Sequence, residues 1–199
     1  MFLVFEGVDG SGKSTQARLL AREFERRSFG VELVREPGGT PLGEELREIL
    51  LSRSGRTLAP ETELFLFMAA RSQLVRDRIL PALERGRVVI SDRFLWSSVV
   101  YQGVRSGLPF EEILEMGRVA TAGLAPDRTF VIDLDPEVAL SRVGNPDRME
   151  ASGVEFQRRV REGFLELARR FRETSVVIDG RGSAEEVFAR VLAHCAIPS

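Results

Sequence analysis

Lysine is almost absent from this chain. Its 199 residues include 28 Lys and Arg, of which one, Lys13, is lysine. Cysteine, histidine, asparagine, tryptophan and tyrosine also occur once each, as Cys195, His194, Asn145, Trp96 and Tyr101. One cysteine cannot make an internal disulfide and offers no thiolate cluster for a metal, which fits a reducing, cytoplasmic setting. The one asparagine is followed by Pro146, so the Asn-Lys-x-Asp pattern with which GTPases read guanine is missing. No apolar run reaches the ~18 residues that read as a transmembrane helix. The stretch Met1–Phe5 is too short for a secretory signal and lacks a basic start. A formal net charge of −2 lacks the basic excess that a general nucleic-acid or membrane-surface binder needs.

What is present is 43% hydrophobic and 29% charged, the balance of a globular protein. The length suits one domain over 1–199 with a short excursion. Apolar runs at Phe2–Gly7, Val31–Glu36, Arg87–Asp92, Thr129–Asp135 and Ser175–Gly180 read as strands. Most are continuous rather than alternating, as in a parallel sheet covered on both faces. Helical patterns fill the intervals: Lys13–Arg27, Leu42–Leu51, Pro60–Glu84, Leu95–Gln102, Phe110–Ala122, Pro136–Val143, Val154–Thr174 and Ser183–His194. Pro81 is expected to kink or shorten the third of these. The alternation predicts an α/β domain of three layers, a five-stranded parallel sheet between helices, with ligands beyond the carboxyl ends of the strands.

Gly7-Val8-Asp9-Gly10-Ser11-Gly12-Lys13-Ser14 fits G-x-x-x-x-G-K-[ST], and Thr15 follows. It leaves a strand and opens a helix, the context this phosphate loop requires. Glycines let backbone N–H groups converge on a polyphosphate, and the helix N-terminus adds partial positive charge. The lone lysine falls here. A compact ammonium on a flexible stem fits inside a loop and reaches the β and γ phosphates, whereas a guanidinium is wider and its fork is fixed. Ser14 is placed to offer its hydroxyl to Mg²⁺.

The length favours a small kinase of the phosphate-loop type over a large motor ATPase. Such a kinase needs an acceptor pocket, positive charge for the acceptor's anion, and an element that excludes water. Asp92-Arg93 ends the strand Arg87–Asp92 beside the loop. Asp92 has the position of a carboxylate that orders Mg²⁺ through water, and Arg93 that of a bidentate phosphate clamp. The basic stretch RVGNPDRMEASGVEFQRR, between two helices, reads as a lid over about 142–153.

Taken in order, FEGVDGSGKST, REPGGTPLGEELR, ELFLFMAARSQLV, SDRFLWSSVVYQG, FVIDLDPEVAL and DRME span nearly the whole chain and resemble bacterial thymidylate kinases. The resemblance implies ATP + dTMP → ADP + dTDP, with Mg²⁺, in a homodimer. It implies that Asp9 faces the acceptor's 3′-hydroxyl region, that Arg35, Arg71 and Arg93 surround dTMP with Arg93 on its phosphate, and that Phe67 stacks on thymine. Ser98 and Gln102 are implied as polar neighbours, and Tyr101 as the aromatic under the deoxyribose. Without the family, Phe67 in LFLFMAA reads as ordinary core. Some relatives carry an arginine where this chain has Gly10, which transfers that charge to the lid. Arg142 and Arg148 are the candidates there, and Arg148, in the matched DRME, is preferred. An acceptor phosphate with a second pKa of about 6 needs no general base, so catalysis reduces to positioning and charge neutralisation by Lys13, Arg93, Asp9 and a lid arginine. Another small-acceptor or nucleoside monophosphate kinase, or a nucleotide switch without turnover, remains the alternative.

Overall fold

A computed structural model describes residues 1–52, 57–144 and 153–196. In chain order the elements are β1 (Phe2–Glu6), α1 (Lys13–Arg26), β2 (Val31–Arg35), α2 (Pro41–Leu51), α3 (Pro60–Leu74), α4 (Leu80–Glu84), β3 (Val88–Asp92) and α5 (Leu95–Ser106). There follow α6 (Phe110–Ala120), β4 (Arg128–Asp133), α7 (Pro136–Ser141), α8 (Val154–Arg170), β5 (Ser175–Asp179) and α9 (Ala184–Ala193). Among the described residues the strands form one all-parallel sheet in the order β2-β3-β1-β4-β5. The expected three-layer α/β fold is therefore present.

Every residue of β1 is buried. Strand alternation sends Leu3 and Phe5 to one face, where they meet Leu20 and Phe24 of α1 and Val187 and Val191 of α9. Phe2 and Val4 point the other way, onto Leu74 and Phe94. Burial of a side chain such as Phe24 or Leu20 stabilises the fold by roughly 1.5–3 kcal/mol. Beyond β4 that second layer continues through α5 and α8, where Val99, Val100, Val160 and Phe164 pack together.

The long pattern Pro60–Glu84, in which Pro81 is expected to kink or shorten the helix, is interrupted just before that proline. A π-helical turn, Val75–Ile79, separates α3 from α4. Pro81 has no N–H to complete an ordinary ladder and its ring crowds the preceding turn, so the chain widens there rather than breaking. Helix α5 runs four residues past Gln102, to Ser106, and ends on Gly107 at φ 75°.

Register decides where the site lies. Phe5 of β1 pairs with Asp92 of β3 on one side and Phe130 of β4 on the other. The loop leaving β1 and the Asp92–Arg93 step therefore emerge side by side at the carboxyl edge, where crossovers diverge in opposite directions and a crevice opens. No helix among the described residues is long and apolar enough to cross a membrane.

Candidate active site

The loop from β1 to α1 turns through three glycines with positive φ, Gly7 at 137°, Gly10 at 77° and Gly12 at 97°. Gly10 also packs so closely that a Cβ there would lie 2.0 Å from the Ala139 carbonyl oxygen of α7. Position 10 thus has no room for a side chain. Gly10→Ala is expected to destabilise the protein by about 2–3 kcal/mol, from the φ and the overlap together. A melting temperature equal to the parent's would refute that packing. Helix α1 starts with no side-chain cap and no acidic residue in its first turn. By contrast Thr40, Asp135 and Ser183 cap α2, α7 and α9. The positive end of α1 is left for an anion.

Lys13 is buried under this loop. Its Nζ donates to the Val8 carbonyl at 2.6 Å and to Ser11 Oγ at 3.4 Å. Burial, reinforced by the Arg93 charge, lowers its pKa to about 8, against the pull of Asp9, Asp92 and Glu6. Ser14 Oγ donates to Asp92 Oδ2 at 2.5 Å, so the two expected metal-side oxygens are already together. A hydroxyl and a carboxylate are hard oxygen donors that fit Mg²⁺, an ion that keeps waters and leans on substrate phosphates. Among the described residues there is no group of three or more His, Cys, Asp or Glu that could hold an ion.

Arg93 follows β3 at φ 73°, an unusual backbone for a non-glycine residue. It is held there from both sides: its N–H donates to the Phe5 carbonyl, and its carbonyl accepts from Ser91 Oγ. Such a strained residue persists where its surroundings over-determine it, typically at functional sites. Its guanidinium pairs with Asp9, donates to Ser97 Oγ at 2.9 Å and the Gly7 carbonyl at 3.2 Å, and lies 5.2 Å from the Tyr101 ring centre. Tyr101 donates its hydroxyl to Asp9 at 2.7 Å. Burial pushes the Asp9 carboxyl up, but Arg93 and Lys13 outweigh it and hold the group below the usual range. Burial and then the Asp9 charge raise the Tyr101 phenol well above its ordinary value. Glu6, at the end of β1, is fully buried; burial pushes it up to about 7 against the Ser97 hydrogen bond and the Arg93 charge.

At the other end Arg71 is 1% exposed. Its Nε donates to Glu36 Oε2 at 2.7 Å, and its Nη2 to the Phe94 carbonyl and Ser98 Oγ, each at 3.0 Å. Among the described residues Nη1 donates only to the Met68 sulfur, a weak acceptor, at 3.3 Å. Gln102 is fixed through its amide to Glu63 at 3.0 Å. Phe67, one turn before Arg71, is half-buried and outside the core clusters, on the wall of the cavity.

All of this opens into one cavity of about 620 Å³. Asp9, Gly10, Ser11, Gly12, Lys13, Ser14 and Thr15 line it, with Asp92 and Arg142; so do Arg35, Phe67, Arg71, Arg93, Ser98, Tyr101 and Gln102. Gly7 and Val8 do not. They lie beneath it, Val8 in the core, and contribute carbonyls that accept from Arg93 and Lys13. Arg35 is paired with Glu44 at 3.1 Å and more than half exposed, at the rim. Arg148, with most of the expected lid, lies outside the described residues.

Several lining residues were not foreseen. Glu36, Arg47 and Ser97 belong to segments already singled out, but composition gave them no role. The turn after β5, with Gly180, Gly182 and Ser183, also lines the cavity. It sits at a strand's carboxyl end, the signal that marks the loop after β1, and could have been read the same way. Gln157, from the first turn of α8, lies 3.4 Å from Asp9; a lone glutamine among arginines carries no sequence signal.

The family model described as thymidylate kinase matches residues 5–191. A thymidylate kinase of Symbiobacterium thermophilum is 50% identical over 189 residues, covering 94% of this chain and 88% of that protein. One from Kosmotoga olearia is 46% identical over 195 residues, covering 96% and 93%. The crystal structure of thymidylate kinase from Ehrlichia chaffeensis superposes with a TM-score of 0.81 at 33% identity, over 98% of this chain and 97% of that one. A match of this extent places the chain in the thymidylate kinase family.

Proposed function

We propose that the chain transfers the γ-phosphoryl group of ATP to the phosphate of dTMP, releasing ADP and dTDP. The observation that carries this reading is a single cavity in which an uncapped phosphate loop with a buried lysine faces a pinned arginine, while a buried arginine and an aromatic wall lie at the far end. Lys13 and the loop amides hold the β and γ phosphates. Ser14, and Asp92 through water, would hold Mg²⁺, which supplies charge neutralisation between the phosphates. Arg93 clamps the acceptor phosphate and aims its oxygen. Asp9 and Tyr101 meet the deoxyribose, and the Tyr101 ring occupies the space a 2′-hydroxyl would need. Phe67 stacks on the base, with Arg71 Nη1 the nearest under-used donor for a base carbonyl and Ser98 and Gln102 beside it. Arg35 contributes charge at the rim. Arg142, and Arg148 in the preferred reading, neutralise charge on the transferred group from a lid at 142–153 of one kinase domain. Exposed Phe65 on α3 and Val119 on α6 support a homodimer through helices, and the single reduced-type cysteine supports a cytoplasmic setting.

An acceptor screen tests this. ADP release should be fastest with dTMP and fall sharply with UMP, AMP and GMP; equal turnover of AMP would sink the thymidylate reading. In the same assay Arg93→Ala should raise the KM for dTMP about ten- to a hundredfold, the loss of one or two hydrogen bonds to a charged group, and leave ATP binding largely intact.

A further inference from the structure

We propose that Glu6 and Ser97 are positioning residues for the acceptor phosphate, acting through Arg93 by fixing where its guanidinium points. The inference rests on the reading of Arg93 as the acceptor clamp.

Glu6 is 0% exposed and does not line the cavity. Burying a carboxyl in the centre of a sheet is costly, and an apolar residue would fill the same space better. Its described hydrogen bonds all run to the start of α5. Oε1 accepts from the backbone N–H of Phe94 at 3.0 Å and of Ser97 at 3.1 Å, and Oε2 accepts from Ser97 Oγ at 2.5 Å.

A carboxylate only accepts, so the Ser97 hydroxyl proton is committed to Glu6. The other side of Ser97 Oγ then offers lone pairs alone, and Arg93 Nη1 donates into them at 2.9 Å. The direction of the relay from β1 through Ser97 to Arg93 is thereby set by Glu6. The backbone is treated in the same way. The Phe94 N–H is held by Glu6 and the Phe94 carbonyl by Arg71, immediately after the left-handed Arg93. An arginine side chain has many rotamers, and an ångström of misplacement in a phosphate clamp is costly, so fixing both its backbone and one of its nitrogens matters.

Ser97→Ala deletes the acceptor facing Arg93. Glu6→Gln keeps the volume but places a donor where the serine needs an acceptor. Assayed at about pH 8, each should raise the KM for dTMP about tenfold, one hydrogen bond's worth, with the KM for ATP unchanged. The double variant should be no worse than the poorer single, because both act on one path. Ser97→Thr, which keeps the hydroxyl, should return the KM to near the parent value. Should Ser97→Ala and Glu6→Gln leave the dTMP KM at the parent value while Arg93→Ala raises it, the inference fails and the functional reading stands. An unchanged dTMP KM in Arg93→Ala overturns the clamp assignment and this inference with it. A fall in kcat and melting temperature with both KM values unmoved marks a merely structural role and also overturns it. If Glu6→Gln does not fold, Ser97→Ala, which removes one hydroxyl, decides alone.

Discussion

Lys13→Ala should lower kcat by about a hundred- to a thousandfold, the usual loss when one preorganised positive donor is removed from a transition state that develops charge. Arg93, whose charge adds to burial in lowering the Lys13 pKa, is itself engaged with Asp9, Ser97 and the Gly7 carbonyl and does not replace it. Lys13 is the chain's one lysine, and its neighbours Ser11 and Val8 offer an acceptor hydroxyl and a carbonyl. Lys13→Arg should not rescue activity, since a planar fork does not fit where an ammonium sits under the loop. Both are read by steady-state kinetics beside a melting curve, and kcat within tenfold of the parent for either would refute the assignment. The same residue gives a pH signature. In the free protein its pKa is lowered to about 8, by burial and then by Arg93. The protonated form binds polyphosphate, and the free protein loses that proton as pH rises through about 8. ATP affinity should therefore fall with rising pH, about tenfold between pH 7 and pH 9, and the fall should be absent in Lys13→Ala.

Arg71→Ala should cost about 3–5 kcal/mol of stability, because it strands a buried carboxylate. At this chain length that is a drop of roughly 6–20 °C in melting temperature. Glu36 sits beside it at 4% side-chain exposure, its Oε1 without a hydrogen-bond partner among the described residues, and burial already raises its pKa against Arg71. In the variant the raised folded pKa means that Glu36 takes up a proton on folding. Stability is therefore retained in acid and lost as pH rises above the ordinary value of 4.5 toward the folded value. Glu36→Gln placed on top of Arg71→Ala should recover part of the loss at neutral pH. A melting temperature within about 2 °C of the parent for Arg71→Ala would show that the pair does not carry the base end of the cavity.

Much of this was legible in the residues. Mostly continuous apolar runs such as FLVFE and VVIS pointed to strands covered on both faces of a parallel sheet, and in such a sheet the turns that follow them lie together at one edge. The glycine spacing around Lys13 identified the phosphate loop because local backbone freedom is a property of the residues themselves. Phe67 shows the limit. Its run, LFLFMAA, is apolar all round, and no periodicity distinguishes a core face from a cavity wall; the packing of α3 against α5 decided it.

The sequence alone determined the fold class, the phosphate-loop pattern and the place of the one lysine within it, since each follows from patterns a few residues long. Only the tertiary structure decided that Gly10 abuts Ala139, that Glu6 reaches Ser97 across 91 positions, and that Asp9, Arg93 and Tyr101 form one network. Hydrogen bonds and close contacts between distant segments depend on register and on helix placement. Those are set by the whole core at once, and no short stretch of the chain contains them.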